Sequence, residues 1–298
     1  MKFPTIIIMM TLIVSGCSST PTVEQQSLDL RPLHASWTDG SDKGVPRAKL
    51  FADSVSIYAI AAYDVYDDSP ILIEQIPFPK NEKWTQLLPN KGLEEDIGFA
   101  AKAWLRELND QTKELVISYR GTDDFWKDFF NANLIFVKNP LDRTQFDAAL
   151  EFAMAVKQAV DGINISKTII TGHSLGGGLA EYVQRLYPES MAVTFDTSPN
   201  QGRLYSIFTS KYDKNVIRVY EKGEILQYLR YALSPDLVWD EIPTEEGTRT
   251  IWYQFYNSNP LLAHGMRDLA ISLIKVSALN NNASATSVLN QVKTDLKN

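Results

Sequence analysis

Hydrophobic positions along this chain switch between a helical and an extended period. Phe51, Val55, Tyr58, Ala62 and Val65 recur at helical spacing and predict a helix over 48–66 with a buried stripe. Two extended runs follow, "GFAAKAWLREL" (98–108) and "KELVISYR" (113–120), and read as a strand pair across a turn-rich connection. Phe146, Leu150, Ala153, Val156 and Val160 then mark one face of an amphipathic helix. "ISKTIIT" (165–171) predicts a strand, and a helical pattern runs from Ser174 to near Pro188. "MAVTF" and "NVIRVY" predict two more strands, "TRTIWYQF" another, and 266–276 a helix. The end is polar apart from Val288, Leu289, Val292 and Leu296, the stripe of a terminal helix. Strands alternating with helices predict an α/β fold, a mostly parallel sheet covered on both faces, in one domain over 47–298.

The first residues stand apart from this alternation. Lys2 precedes a short apolar run, Pro4 to Val14, which is brief for a membrane-spanning helix. "LIVSGC" (12–17) resembles the lipobox of bacterial lipoprotein signal peptides. That resemblance implies a signal peptide at 1–16, cleavage before Cys17, and lipidation of Cys17, palmitate included, as a membrane anchor. An ordinary signal peptide or an anchor helix are the plainer readings. Cys17 is the only cysteine, so no internal disulfide forms. Residues 18–46, rich in Ser, Thr, Pro, Gly and Asp, read as a flexible tether, so 17–46 is the lipidated N-terminus and its linker. The expected location is the bacterial cell envelope, lipid-anchored; Ser18 after Cys17 resembles outer-membrane sorting if the organism is Gram-negative.

Composition narrows the partners. The 298 residues are 44% hydrophobic, enough for a sizeable core, and carry net charge −7; losing the leader removes Lys2 and makes the chain more acidic. Acidity argues against nucleic acid, which demands a basic face, and against electrostatic docking on anionic lipid. No obligate protein partner is evident.

The candidate chemistry centres on "TGHSLGGGLA" (171–180). A lone G-x-S-x-G arises by chance in about one chain in ten of this length. Here a strand precedes it and a helix follows, the context of a nucleophile elbow presenting Ser174. Serine needs a base. Of three histidines, His34 lies in the tether and the His173 side chain is directed away from its neighbour's, which leaves His264. The third member is a carboxylate that orients the histidine. Asp196 after "MAVTF", Glu224 after "NVIRVY" and the nearby Glu221 are all open.

"VISYRGT" (116–122), "TGHSLGGGLA", "VTFDTSPN" (193–200), "VIRVYEKGEIL" (216–226) and "AHGM" (263–266), in this order over roughly 50–275, resemble the class 3 lipases, the fungal-type α/β hydrolases. The resemblance implies the α/β-hydrolase fold and a serine ester hydrolase acting on lipid, phospholipid or other acyl esters through Ser174, His264 and an acid. It places the acid at Glu224, with Asp196 as the alternative, and the oxyanion donors at Thr122 and the Leu175 amide. Three departures stand out: Glu for the family's usual Asp, a shortened segment at "DDFWKDFF" (123–130), and an aromatic-rich stretch from Tyr228 to Tyr256, read as core in preference to an acyl pocket. No metal or organic cofactor is implied. The other readings are a non-catalytic envelope lipoprotein using the fold as a binding module, and an acyltransferase with the same triad.

Overall fold

The strand Ile165–His173 and the helix after it organise the molecule. A computed structural model describes residues 44–66, 75–88, 98–108, 111–121, 144–198, 215–227, 230, 249–255, 260 and 262–295. All of them fall in the compact unit His34–Asn298. Cys17, the leader, His34, Thr122 and the 123–130 segment lie outside the described residues, as do Tyr228, Tyr231, Trp239 and Tyr256.

The elements, in chain order, begin with helix α1 (Gly44–Asp64) and strands β1 (Trp84–Gln86), β2 (Ala101–Glu107) and β3 (Lys113–Tyr119). Helix α2 (Thr144–Ala159), β4 (Ile165–His173) and helix α3 (Leu175–Leu186) follow. Then come β5 (Met191–Phe195), β6 (Val216–Glu221), β7 (Arg249–Tyr253), and helices α4 (Met266–Leu279) and α5 (Ala283–Asp295). Helix α1 starts before the expected position, inside the segment read as tether; Pro46 falls in its first turn, where a missing N–H costs nothing. The short strand β1 has too little pattern to be foreseen: its Thr85 and Gln86 are exposed.

The described strands form one sheet in sequence order, β1 to β7. The pair β2–β3 is antiparallel, with Ala101 opposite Tyr119, and β1 pairs antiparallel to β2. From β3 to β7 every pairing is parallel. Right-handed crossovers between strands laid down in one direction put α2 and α3 on the same face. There Phe152, Val156, Leu179 and Val183 pack on Leu115, Ile117, Tyr119 and Ile170 in a single buried cluster. The other face needs cover from outside that run. Helix α1 supplies it with Ala52, Val55, Ala59 and Ala62, all fully buried, and packs along α4. In the aromatic stretch, Trp252 and Tyr253 are buried and the Trp252 ring packs at a tilt on Tyr220, so these two are core. This mostly parallel sheet with helices on both faces and a strand–serine–helix elbow is an α/β-hydrolase fold.

At the amino-terminal end of the parallel strands lies a buried charge cluster. Glu114, 1% exposed, accepts from the Tyr58 hydroxyl at 2.6 Å and meets Lys167 at 3.0 Å and Arg106 at 3.1 Å. A cavity of about 250 Å³ opens beside it, lined in part by Asp53, Tyr58, Arg106 and Lys167. The candidate chemistry is at the opposite end.

Candidate active site

In an open parallel sheet, ligands meet the carboxyl ends of the strands, and the candidate residues gather there. Strand β4 ends at His173 and α3 begins at Leu175, so Ser174 alone makes the turn, at φ 56° and ψ −123°. A non-glycine residue rarely adopts this conformation and does so only where its surroundings impose it. Here the Ser174 amide donates to the Phe195 carbonyl at 3.0 Å, and the Ser174 carbonyl accepts the Ser198 amide at 2.9 Å. The motif's glycines have no room for a side chain. A Cβ on Gly176 would stand 2.1 Å from the Tyr119 carbonyl oxygen, and one on Gly172 2.4 Å from that of Gly176.

Ser174 is the N-cap of α3, yet its side chain makes no capping bond. Its Oγ instead lies 3.1 Å from Nε2 of His264. His264 ends a single 3-10 turn, Leu262–His264, between β7 and α4. Its Nδ1 is 2.8 Å from Oε2 of Glu224, three residues beyond β6. The three are packed away from solvent: Ser174 and His264 are each 6% exposed and Glu224 fully buried. The loops after β4, β6 and β7 thus bring Ser174, His264 and Glu224 into one hydrogen-bonded line.

The second oxygen of Glu224 is held by Arg230, equally buried. Arg230 also donates to the Thr197 carbonyl at 2.7 Å, and its guanidinium covers the Tyr220 ring at 4.1 Å. Burial by itself would raise the Glu224 pKa. The Arg230 charge, the His264 bond and the Leu226 amide (2.7 Å to Oε2) outweigh it and hold the carboxyl below its ordinary value. Glu224 therefore stays ionised. Nothing in the sequence marked Arg230: it stands six residues after Glu224, off the three-or-four spacing of helical ion pairs.

Asp196 is close but differently placed. Its backbone has φ 42°, and Oδ1 accepts the Glu221 amide at 2.7 Å. Its other oxygen, Oδ2, has no hydrogen-bond partner. Burial, and then the Glu224 charge, push its pKa well above the ordinary value, so it tends to the neutral acid. Glu221 serves the backbone, its Oε1 accepting the Phe255 amide at 2.6 Å. Of the three open carboxylates, the one in contact with His264 is Glu224.

Leu175 is the first residue of α3, so its amide has no acceptor within the helix, and the positive end of the helix lies behind Ser174. Gly121, which precedes Thr122, is buried against the elbow: a Cβ there would stand 3.2 Å from that of Ser174. His173 turns from the serine and meets the Tyr66 hydroxyl through Nδ1 at 3.2 Å. His173, Asp196 and His264 bring donor atoms within 4.8 Å of one another. His264 already uses both ring nitrogens, so a metal ion could join this trio only by drawing it from Ser174 or Glu224.

An α/β hydrolase with a serine elbow is the class that fold and site define. The sequence pattern of the Phospholipase-like family, the Tle-like phospholipase domain, matches residues 57–231, more than half of the chain. The chain belongs to this phospholipase-like family and is a lipase-like hydrolase of ester substrates. The class 3 lipase resemblance thus holds at the level of lipase-like kinship. A comparison with curated proteins returns no match. Among solved structures, a lipase from Rhizopus microsporus var. chinensis is 15% identical, with 59% of this chain and 68% of that one covered at a TM-score of 0.41. The Rhizomucor miehei lipase–propeptide complex is 12% identical, covering 74% and 79% at 0.40. An MDLA mutant form from Penicillium cyclopium is 13% identical, covering 71% and 81% at 0.42. The sheet order and the strand–serine–helix elbow themselves define the fold.

Proposed function

We propose that this protein is a phospholipase or lipase that cleaves acyl esters through a Ser174–His264–Glu224 triad. The single observation carrying the reading is the unbroken contact from Ser174 Oγ through both ring nitrogens of His264 to an ionised, buried Glu224. In this scheme Nε2 of His264 takes the Ser174 proton as Oγ attacks the ester carbonyl. Glu224 fixes the tautomer through Nδ1–H and stabilises the imidazolium, itself kept ionised by Arg230. The carbonyl oxygen becomes an oxyanion, and the Leu175 amide and Thr122 are its donors. His264 then gives the proton to the leaving alcohol. Water, deprotonated by His264, attacks the acyl–Ser174 ester, and the fatty acid departs as Ser174 regains its proton. Family membership favours a phospholipid substrate.

The test is an ester panel from short acyl chains to phospholipids and triacylglycerols, with fluorophosphonate labelling. Wild type should label at Ser174 and hydrolyse the panel, and Ser174→Ala should lose about 10³-fold or more in kcat. Equal turnover by Ser174→Ala would refute the scheme.

Lipidation of Cys17, with anchoring to the bacterial envelope, is a separate part of this proposal and is supported by "LIVSGC". It would present the enzyme to its substrate in two dimensions. Cys17→Ser should move the protein from the membrane to the soluble fraction; unchanged fractionation would remove the anchor from the picture.

A further inference from the structure

Tyr66 takes no part in the scheme above, yet its hydroxyl touches two pieces of the site. It lies two residues beyond α1 and accepts the Gly121 amide at 2.9 Å, while Nδ1 of His173 is 3.2 Å away. The crossing has no slack. A Cβ on Gly121 would stand 2.7 Å from the Tyr66 hydroxyl and 2.7 Å from the His173 carbonyl oxygen. Chain segments from the ends of α1, β3 and β4 therefore meet at one oxygen atom, next to Ser174.

The donor inventory gives this contact a direction. The Gly121 N–H can only donate, so the Tyr66 oxygen accepts there and its own hydrogen is available to another acceptor. His173 provides one. Burial, and then the neighbouring His264, keep its pKa well below the ordinary value, so the ring is neutral and one nitrogen carries a lone pair. With the Tyr66 hydrogen on Nδ1, the chain Gly121 N–H to Tyr66 O–H to His173 runs one way, and each link polarises the next. Neutrality matters too: the His173 ring centre is 4.6 Å from that of His264, where a second positive charge would oppose the imidazolium.

The geometry points to Tyr66 as a positioning residue, whose hydroxyl clamps Gly121, two residues beyond β3 and next in sequence to Thr122, onto the nucleophile elbow. This rests on the hydrolase reading, in which the oxyanion forms on that side of Ser174. Removing the acceptor at so close a crossing lets the Gly121 peptide shift, and misplacement of a catalytic donor by about 1 Å can cost about 100-fold in rate.

Tyr66→Phe keeps the ring and removes only the oxygen. On one soluble ester, kcat should fall about 10- to 100-fold with KM unchanged within about twofold and the pH midpoint of kcat unmoved, because His264 and Glu224 are untouched. His173→Asn keeps an acceptor where Nδ1 stood and should stay near wild type. His173→Leu should fall as Tyr66→Phe does, and the double variant no further. Thermal melts and fluorophosphonate labelling show whether each variant is folded. The clamp is overturned if Tyr66→Phe turns over within twofold of wild type, if its loss lies in KM or in melting temperature alone, if His173→Asn falls as far as His173→Leu, or if the two losses simply add. These outcomes are separable from failure of the hydrolase reading. An active Ser174→Ala removes the site itself, whereas a labelled, active wild type beside an undiminished Tyr66→Phe removes only the clamp.

Discussion

Two buried carboxylates stand beside His264, and their surroundings push them in opposite directions. Glu224 has a guanidinium, an imidazole and an amide around it; Asp196 has one amide and an unpaired oxygen. If Glu224 is the triad acid, Glu224→Gln should reduce kcat by about 10³- to 10⁴-fold, because the amide presents the wrong hydrogen-bonding group to Nδ1. Asp196→Asn keeps the acceptor for the Glu221 amide and should retain activity within a few-fold. The reverse pattern in steady-state kinetics would reassign the acid. Stability should separate the two as well. The folded pKa of Asp196 lies above its ordinary 3.8, so its contribution to stability is complete below that pH and is lost as pH rises through the folded value. Asp196→Asn should therefore gain in melting temperature relative to wild type as pH rises. Glu224 has the opposite sign: its contribution is present above 4.5 and is lost as pH falls through its lowered value. A gain for Asp196→Asn that is flat with pH would contradict the raised pKa.

At the scale of elements, the elbow works because α3 presses on the end of β3. Tyr119 stands opposite Gly172 in the sheet, and its carbonyl lies where a Gly176 side chain would go. Unlike a flexible side chain, that carbonyl belongs to the sheet and cannot give way. Gly176→Ala should displace α3, cost roughly 1–3 kcal/mol or more, and separate Ser174 from His264. Activity should drop by about 100-fold even where circular dichroism still shows a folded protein. Near-normal turnover would mean the helix can tilt without moving the serine. Helix α3 is also tied to β6 inside the core: Glu181 receives Arg218 through two bonds, 2.9 and 2.7 Å. That ion pair aligns the elbow helix with the strand that leads to Glu224, and it has little freedom because both side chains are buried.

Over the whole molecule, the two ends of the parallel strands do different work. The carboxyl end carries the strained serine and the opposed carboxylates. The amino end carries the Glu114 cluster, where Tyr58 of α1, Arg106 of β2 and Lys167 of β4 converge on one buried carboxylate. Glu114→Ala would leave Arg106 and Lys167 without that partner. Both are partly exposed and can turn to water, so the cost should sit at the low end for a broken buried pair, about 3 kcal/mol, or roughly 6–12 °C in melting temperature. The activity of the folded fraction should be unchanged. A scanning-calorimetry shift near zero would show the cluster to be ornamental. Among the described residues no helix is long and apolar enough to cross a membrane.

The local patterns were legible from residues alone. The extended run into "TGHSLGGG" and the helical period after it demanded an elbow, since glycines beside a serine between a strand and a helix meet a close backbone crossing. The strand–helix alternation was legible by its periods, and elimination among three histidines singled out His264 as the candidate base. These are short-range properties of sequence. Which carboxylate meets His264 was not, because Asp196 and Glu224 both follow strands and differ only in where the turn after each sends the side chain. Arg230 and Tyr66 were invisible for the same reason. Arg230 stands off any helical spacing from Glu224, and Tyr66 is 55 residues from Gly121 and 107 from His173. The sequence by itself determined the elements and the strand-to-helix setting of Ser174; only the tertiary structure, by bringing distant strand ends to one edge of the sheet, decided the partners around it.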